Sequence, residues 1–108
     1  MIKNELKVLT TAAQTLVAGG NLPNRIIGIH FCNPTATTTT FELTLTDAAG
    51  TTVTLRKAKS LAQNGEDDFT HRIVLEKGDK LEALASVADK IHVLVNYEPY
   101  NGSPTSGA

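Results

Sequence analysis

Apolar and polar residues alternate with a period of two along most of this chain. No segment of helical length carries a clean period of about 3.6 residues. The sharpest alternation runs from Phe41 to Asp47, where Phe41, Leu43 and Leu45 point one way and Glu42, Thr44 and Thr46 the other. Thr51 to Lys57 alternates again, with Val53 and Leu55 on the apolar side. Between them lies Asp47-Ala48-Ala49-Gly50. If Asp47 pairs with Thr51, Leu45 faces Val53 and Leu43 faces Leu55, whereas a loop one residue longer mixes the two faces. That pairing also puts Asp at the first position of a type I turn and Gly at the left-handed site of a G1 bulge, the residues each position favours. Turn chemistry and facing thus predict one hairpin in one register.

The other strands follow from the same pattern. Lys7–Leu9 and Gln14–Val17 read as short opening strands, followed by the Gly-, Asn- and Pro-rich loop Ala18 to Asn24. Arg25 to Asn33 is a long strand, with Ile27, Ile29 and Phe31 on one face and Ile26, Gly28, His30 and Cys32 on the other. Asn33-Pro34 stops it, because proline donates nothing to a ladder. Ser60 to Asp68 reads as a polar loop. Asp67 to Glu76 reads as one strand with Phe69, His71, Ile73 and Leu75 together. Lys80 to Ser86 places Leu81, Ala83 and Ala85 inward, and Ile91 to Glu98 closes with Ile91, Val93, Val95 and Tyr97. Leu, Glu and Ala in Lys80–Ala88 also suit a helix, but the flanking β pattern favours strand. Seven to eight short strands joined by turns predict an all-β fold, an antiparallel β-sandwich of jelly-roll type.

Composition agrees with this. The chain holds 108 residues, enough for one domain, expected over 1–100, with the polar stretch 101–108 as a flexible tail. Threonine occurs 15 times, and its β-branched side chain suits a pleated, half-wet surface. Aromatic residues make up only 5%, so the core must be built mainly from Val, Ile, Leu and Ala. The net charge of -1 offers no field to attract nucleic acid or an anionic membrane. Arg56, Lys57 and Lys59 form the one short cationic cluster and read as a solvated strand end. No apolar run reaches the length of a membrane span, and the opening residues lack the apolar stretch of a secretory leader. A soluble protein made in a cytoplasm is expected. With Cys32 as the single cysteine, no intramolecular disulfide can form, and Cys32 reads as a small packed hydrophobe.

No nucleotide-binding, hydrolase or zinc-protease signature occurs. The three histidines, His30, His71 and His92, fall on separate predicted strands, so a three-His zinc site would require an unusual convergence. Glu66, Asp67 and Asp68 are the densest acidic group but lack the spacing of a calcium loop. Asp79 and Asp89 read as turn residues that bond local backbone. Of the aromatics, only Tyr97 and Tyr100 could offer a platform to a sugar. The expectation is therefore a non-enzymatic domain with no catalytic, cofactor-binding or metal residues.

One resemblance adds to this. KVLTTAAQTLVAGG, RIIGIHFCNPTATTTTFELTLTDAAG and IVLEKGDKLEALASVADKIHVLVNYEP, in that order, resemble short phage-encoded virion proteins. Their pattern is an opening strand, a loop with small residues, a strand ending in Cys-Asn (here Cys32 and Asn33) and a Thr-rich strand. It ends with Leu75, Gly78, Asp79, Leu81, Ala85 and Ser86 ahead of a Val-rich strand. The resemblance covers roughly residues 7 to 98. It implies a β-sandwich located in a virion, a small decoration or cement subunit of the capsid or an accessory of the neck or tail. Its implied partners are the major capsid protein or tail and neck proteins, and it implies a homo-oligomer, often a trimer. Two other classes stay open on the residues alone: a carbohydrate-binding module used in host adsorption, and a cupin-like metal-dependent enzyme.

Overall fold

The computed structural model describes residues 2–99, and the expected flexible tail at 101–108 lies outside the described residues. Nine strands follow in order: β1 (Lys3–Val8), β2 (Gln14–Ala18), β3 (Asn24–Asn33), β4 (Thr39–Thr46), β5 (Thr52–Leu61), β6 (Gly65–Phe69), β7 (Ile73–Leu75), β8 (Lys80–Ala85) and β9 (His92–Pro99). They form two antiparallel sheets, β1-β9-β3-β6 with β7 also on β3, and β2-β8-β4-β5. Lys80–Ala85 is strand, not helix, because Leu81, Ala83 and Ala85 must share one buried face between β2 and β4.

The β4–β5 hairpin forms as its turn chemistry requires. Asp47 N–H donates to the Thr51 carbonyl at 2.9 Å and Gly50 N–H to the Asp47 carbonyl at 3.0 Å. The Asp47 carboxylate accepts from Ala49 N–H and Thr51 N–H, each at 2.9 Å. Gly50 takes φ +91°, the left-handed conformation that glycine adopts at least cost. Leu45 pairs with Val53 as expected, but Leu43 pairs with Arg56 and not with Leu55. Leu55 is an extra, bulged residue, and a second irregularity beside Ala58 (φ +47°) turns the strand again.

From this hairpin the chain rolls up. β3 pairs with β6 and β7, β2 with β8, and β1 with β9. In each of these ladders, as in the hairpin itself, the partners lie symmetrically about Ala49 to within about one residue: Thr46 with Thr52, Asn33 with Gly65, Lys3 with Tyr97. Folding this nested hairpin over itself adds the β3–β9 and β4–β8 ladders and yields the eight strand positions of a jelly roll. The ninth strand arises because the expected run Asp67 to Glu76 breaks at Thr70–Arg72, so that β6 and β7 share one position beside β3. The polar loop expected over Ser60 to Asp68 shrinks to 62–64, since both flanks are recruited into ladders.

The core lies between the sheets and uses all three phenylalanines, with the rings of Phe31 and Phe41 stacked at 4.1 Å across the two layers. A bulge between Ile26 and Gly28 flips the phase of β3, burying Ile26 and turning Ile27 outward, the reverse of the simple alternation. Asn33 is fully buried and fully bonded. Its Nδ2 donates to the carbonyls of Thr37 and Leu61 at 2.7 and 2.9 Å, and its Oδ1 accepts from the backbone and hydroxyl of Thr35.

Three loops meet at the opposite end. Asp79 accepts from Ala48 N–H and Glu76 N–H, tying the β7–β8 turn to the hairpin, and its carbonyl accepts from Gly19 N–H at 2.9 Å. Gly78 stands at φ +94°, and a Cβ there would fall 2.5 Å from the Ala48 Cβ. Ser86 extends the ladder by accepting from Thr40 N–H on its hydroxyl and donating its own N–H to the Thr40 carbonyl.

Asn33→Ala removes these bonds, which hold the buried turn after β3 to Thr35, Thr37 and Leu61. It is expected to lower unfolding free energy in urea by about 2–3 kcal/mol. Gly78→Ala combines a left-handed Cβ with the Ala48 clash and is expected to cost at least about 2 kcal/mol by the same measurement.

Candidate interaction face

The two outer faces of the sandwich differ in chemistry. The β2-β8-β4-β5 sheet turns Glu42, Thr44, Thr46, Lys80 and Glu82 outward with Leu84 among them, a mainly polar surface to which Thr52 and Thr54 add. The other sheet is set out in cross-strand rows. Val8, His92, Cys32 and Glu66 stand side by side across β1, β9, β3 and β6 in one row, and Leu6, Leu94, His30 and Asp68 in the next. Both rows grade from apolar at β1 to acidic at β6. Beyond them, Asn96 donates to Asn4 at 2.7 Å, and Arg25 pairs with Glu98. Leu6 is 72% exposed and Val8 42%, and Ile2 and Ile27 are exposed on the same side. A shallow groove of about 340 Å³ runs between Leu6, Val8, Leu94, Cys32 and His92.

The phase of β1 creates this face. Leu9 is buried, so the odd-numbered residues of β1 point inward and the even-numbered ones outward. Glu5 and Lys7 occupy the inward rim, 3.7 Å apart, while Leu6 and Val8 face solvent. That is the opposite of the usual polar-out pattern. Leu6, Val8 and Leu94 are not among the functional residues that the sequence suggests. The alternation of Ile2, Leu6 and Val8 against Lys3, Glu5 and Lys7 was the available signal.

The residues considered for chemistry are dispersed. His30 and His92 lie on the outer face, whereas His71 lies in the β6–β7 connection with its ring 5.1 Å from Phe69. Glu66, Asp67 and Asp68 belong to a strand rather than to a solvated loop, and so they point alternately. Asp68 meets His30 Nδ1 at 2.6 Å and Glu66 meets Nε2 at 3.6 Å, on opposite sides of the ring, so the two carboxylates do not converge on a point. Among the described residues no group of three or more His, Cys, Asp or Glu is arranged to hold a metal. Asp67 turns to the rim, 3.0 Å from Arg56, whose guanidinium lies 4.9 Å from the centre of the Phe69 ring. The expected solvated cationic cluster is thereby divided: Arg56 is folded in, Lys57 reaches Glu42 at 3.8 Å, and Lys59 is exposed. Cys32 is a half-buried member of the outer face and not a core residue. Tyr97 is half-buried against the core, which leaves no aromatic platform among the described residues.

No family model and no curated protein matches the sequence. Solved structures do match the fold. A pentameric capsid protein isolated from metagenomic phage sequences superposes with a TM-score of 0.54 at 16% identity, over 89% of this chain and 61% of that one. This chain therefore spans less than two thirds of that protein's length. A chain of the acid-stable capsid of Helicobacter pylori bacteriophage KHP30 superposes with a TM-score of 0.56 at 12% identity, over 94% of this chain and 88% of that one. The all-β sandwich is thus a fold also found in phage capsid chains. A carbohydrate-binding module and xylanase from Clostridium thermocellum reaches a TM-score of only 0.41 at 7% identity, over 93% of this chain and 25% of that one, which is too low to bear on sugar binding.

Because Leu6 is exposed, Leu6→Gln is expected to change unfolding free energy by no more than about 0.5 kcal/mol. The same substitution is expected to reduce the fluorescence of an apolar-surface dye on the native protein.

Proposed function

We propose that this chain is a structural component of a bacteriophage virion. In this reading it is a small homo-oligomeric subunit that decorates or cements the capsid, or joins the neck and tail assembly, through protein–protein contacts. The observation that carries the proposal is the outer face built on Leu6, Val8 and Leu94, an apolar surface on a fold shared with two phage capsid chains. A sandwich of this type also serves lectins and cupins, so the fold alone does not decide between functions. The site chemistry favours a contact role. A sugar site would need an exposed aromatic platform or a set of cation ligands, and a cupin-like enzyme would need converging ligands, whereas the described outer face offers aliphatic side chains rimmed by polar ones, the anatomy of a protein interface. The partners of this reading are the major capsid protein or the neck and tail proteins, and its location is the virion.

Particles purified from cells carrying the genome that encodes this chain provide the test. Mass spectrometry is expected to find the chain in fixed ratio to the major capsid protein through successive density gradients. Its presence in the lysate with absence from the banded particles would overturn the proposal.

A further inference from the structure

We propose that β1 is a self-docking edge, through which a second copy of this chain adds antiparallel to the first across a two-fold axis at Leu6. Among the described residues β1 pairs only with β9, so its other side is an edge of the described sheet. Leu9 N–H donates to the Ile91 carbonyl at 2.9 Å, which fixes the alternation of the ladder. Lys3, Glu5 and Lys7 share the phase of Leu9 and direct their backbone groups toward β9, while Asn4, Leu6 and Val8 direct theirs to the free edge. An antiparallel partner centred on Leu6 therefore finds matching donors and acceptors, Leu6 opposite Leu6 and Asn4 opposite Val8 in both directions.

The side chains select this occupant and this register. With Leu6 opposite Leu6, Glu5 of each copy stands opposite Lys7 of the other, in the non-hydrogen-bonded pairs where side chains approach most closely. On the outer face Leu6 and Val8 of the two copies join into one apolar strip continuous with Leu94. Sliding the partner by two residues in one direction sets Glu5 against Glu5, so charge discriminates against that slip. Sheet edges are commonly blunted with lysine. Here Glu5, between Lys3 and Lys7, neutralises that defence and makes the edge complementary to itself. The contact is small beside the roughly 1,600 Å² of a standard interface, so the free dimer is weak and gains strength where many copies are held together. The inference goes beyond the virion reading and holds whether or not the copies sit in a particle.

Sedimentation of the full chain over a concentration series tests it. The wild-type chain is expected to form a dimer by about 1 mM. Glu5→Lys and Lys7→Glu each set like charges across both pairs and are expected to weaken the dimer by at least about tenfold. Both positions lie about a third exposed on the rim (36% and 34%), and thermal unfolding of each variant checks that the fold is kept. An equimolar mixture of the two variants restores every opposite-charge pair and is expected to dimerise again, as is the single chain carrying both substitutions. A wild-type chain that stays monomeric at about 1 mM, a dimer indifferent to either substitution, or a mixture no more associated than its components would each overturn the proposal.

Discussion

The register of the β4–β5 hairpin is the constraint on which the rest of the molecule depends. Asp47 and Gly50 close a turn centred on Ala48 and Ala49, and the ladders β3–β6, β3–β7, β2–β8 and β1–β9 are nested around the same point. A slip of one residue at the turn would carry outward and exchange core and surface faces in strand after strand. The apex is therefore held from outside as well as inside. Asp79 grips Ala48 N–H, and Gly78 gives Ala48 the space to sit there.

This explains how much of the fold was legible in the sequence. Local signals marked the hairpin, the inward phase of β8 and the Val93–Val95 phase of β9, because turn residues and a period of two are properties of a few neighbouring residues. The departures come from long-range fitting. A bulge puts Ile26 in the core and Ile27 outside, Leu55 is squeezed out of the ladder so that Leu43 meets Arg56, and Thr70–Arg72 interrupts what reads as one strand. Each adjusts twist or length against a distant partner, which single-strand alternation does not encode. The phase of β1 is the plainest case. Leu6 is an apolar residue in an alternating segment and would be assigned to the core, yet pairing opposite Leu94 places it outside.

The candidate site was less legible than the fold for a related reason. The residues that drew attention as chemistry, the histidines, the acidic triplet and the cationic cluster, prove to be neighbours in ladders or partners across the rim. Asp67, Arg56 and Phe69 form a clasp between β5 and β6, and the acids beside His30 lie on either side of its ring. The Cys-Asn and Gly-Asp pieces of the recurring pattern likewise do structural duty. Asn33 fastens the turn after β3, and Gly78 with Asp79 joins three loops. What the surface offers is shape and apolarity, which sequence motifs describe poorly.

The nested pairing also orders events in time. The hairpin closes a few residues, whereas bringing Lys3 to Tyr97 closes nearly the whole described chain. Loop-closure entropy rises by only about 0.6 kcal/mol for each doubling of loop length, but folds dominated by such distant contacts are slow, with times of about milliseconds to seconds. A roll that zips outward from its apex adds β1 last. During that interval the open edge of β9 and the apolar side chains of the unattached strand are exposed together, so crowded nascent copies have an opportunity to exchange strands before each has completed its own sheet.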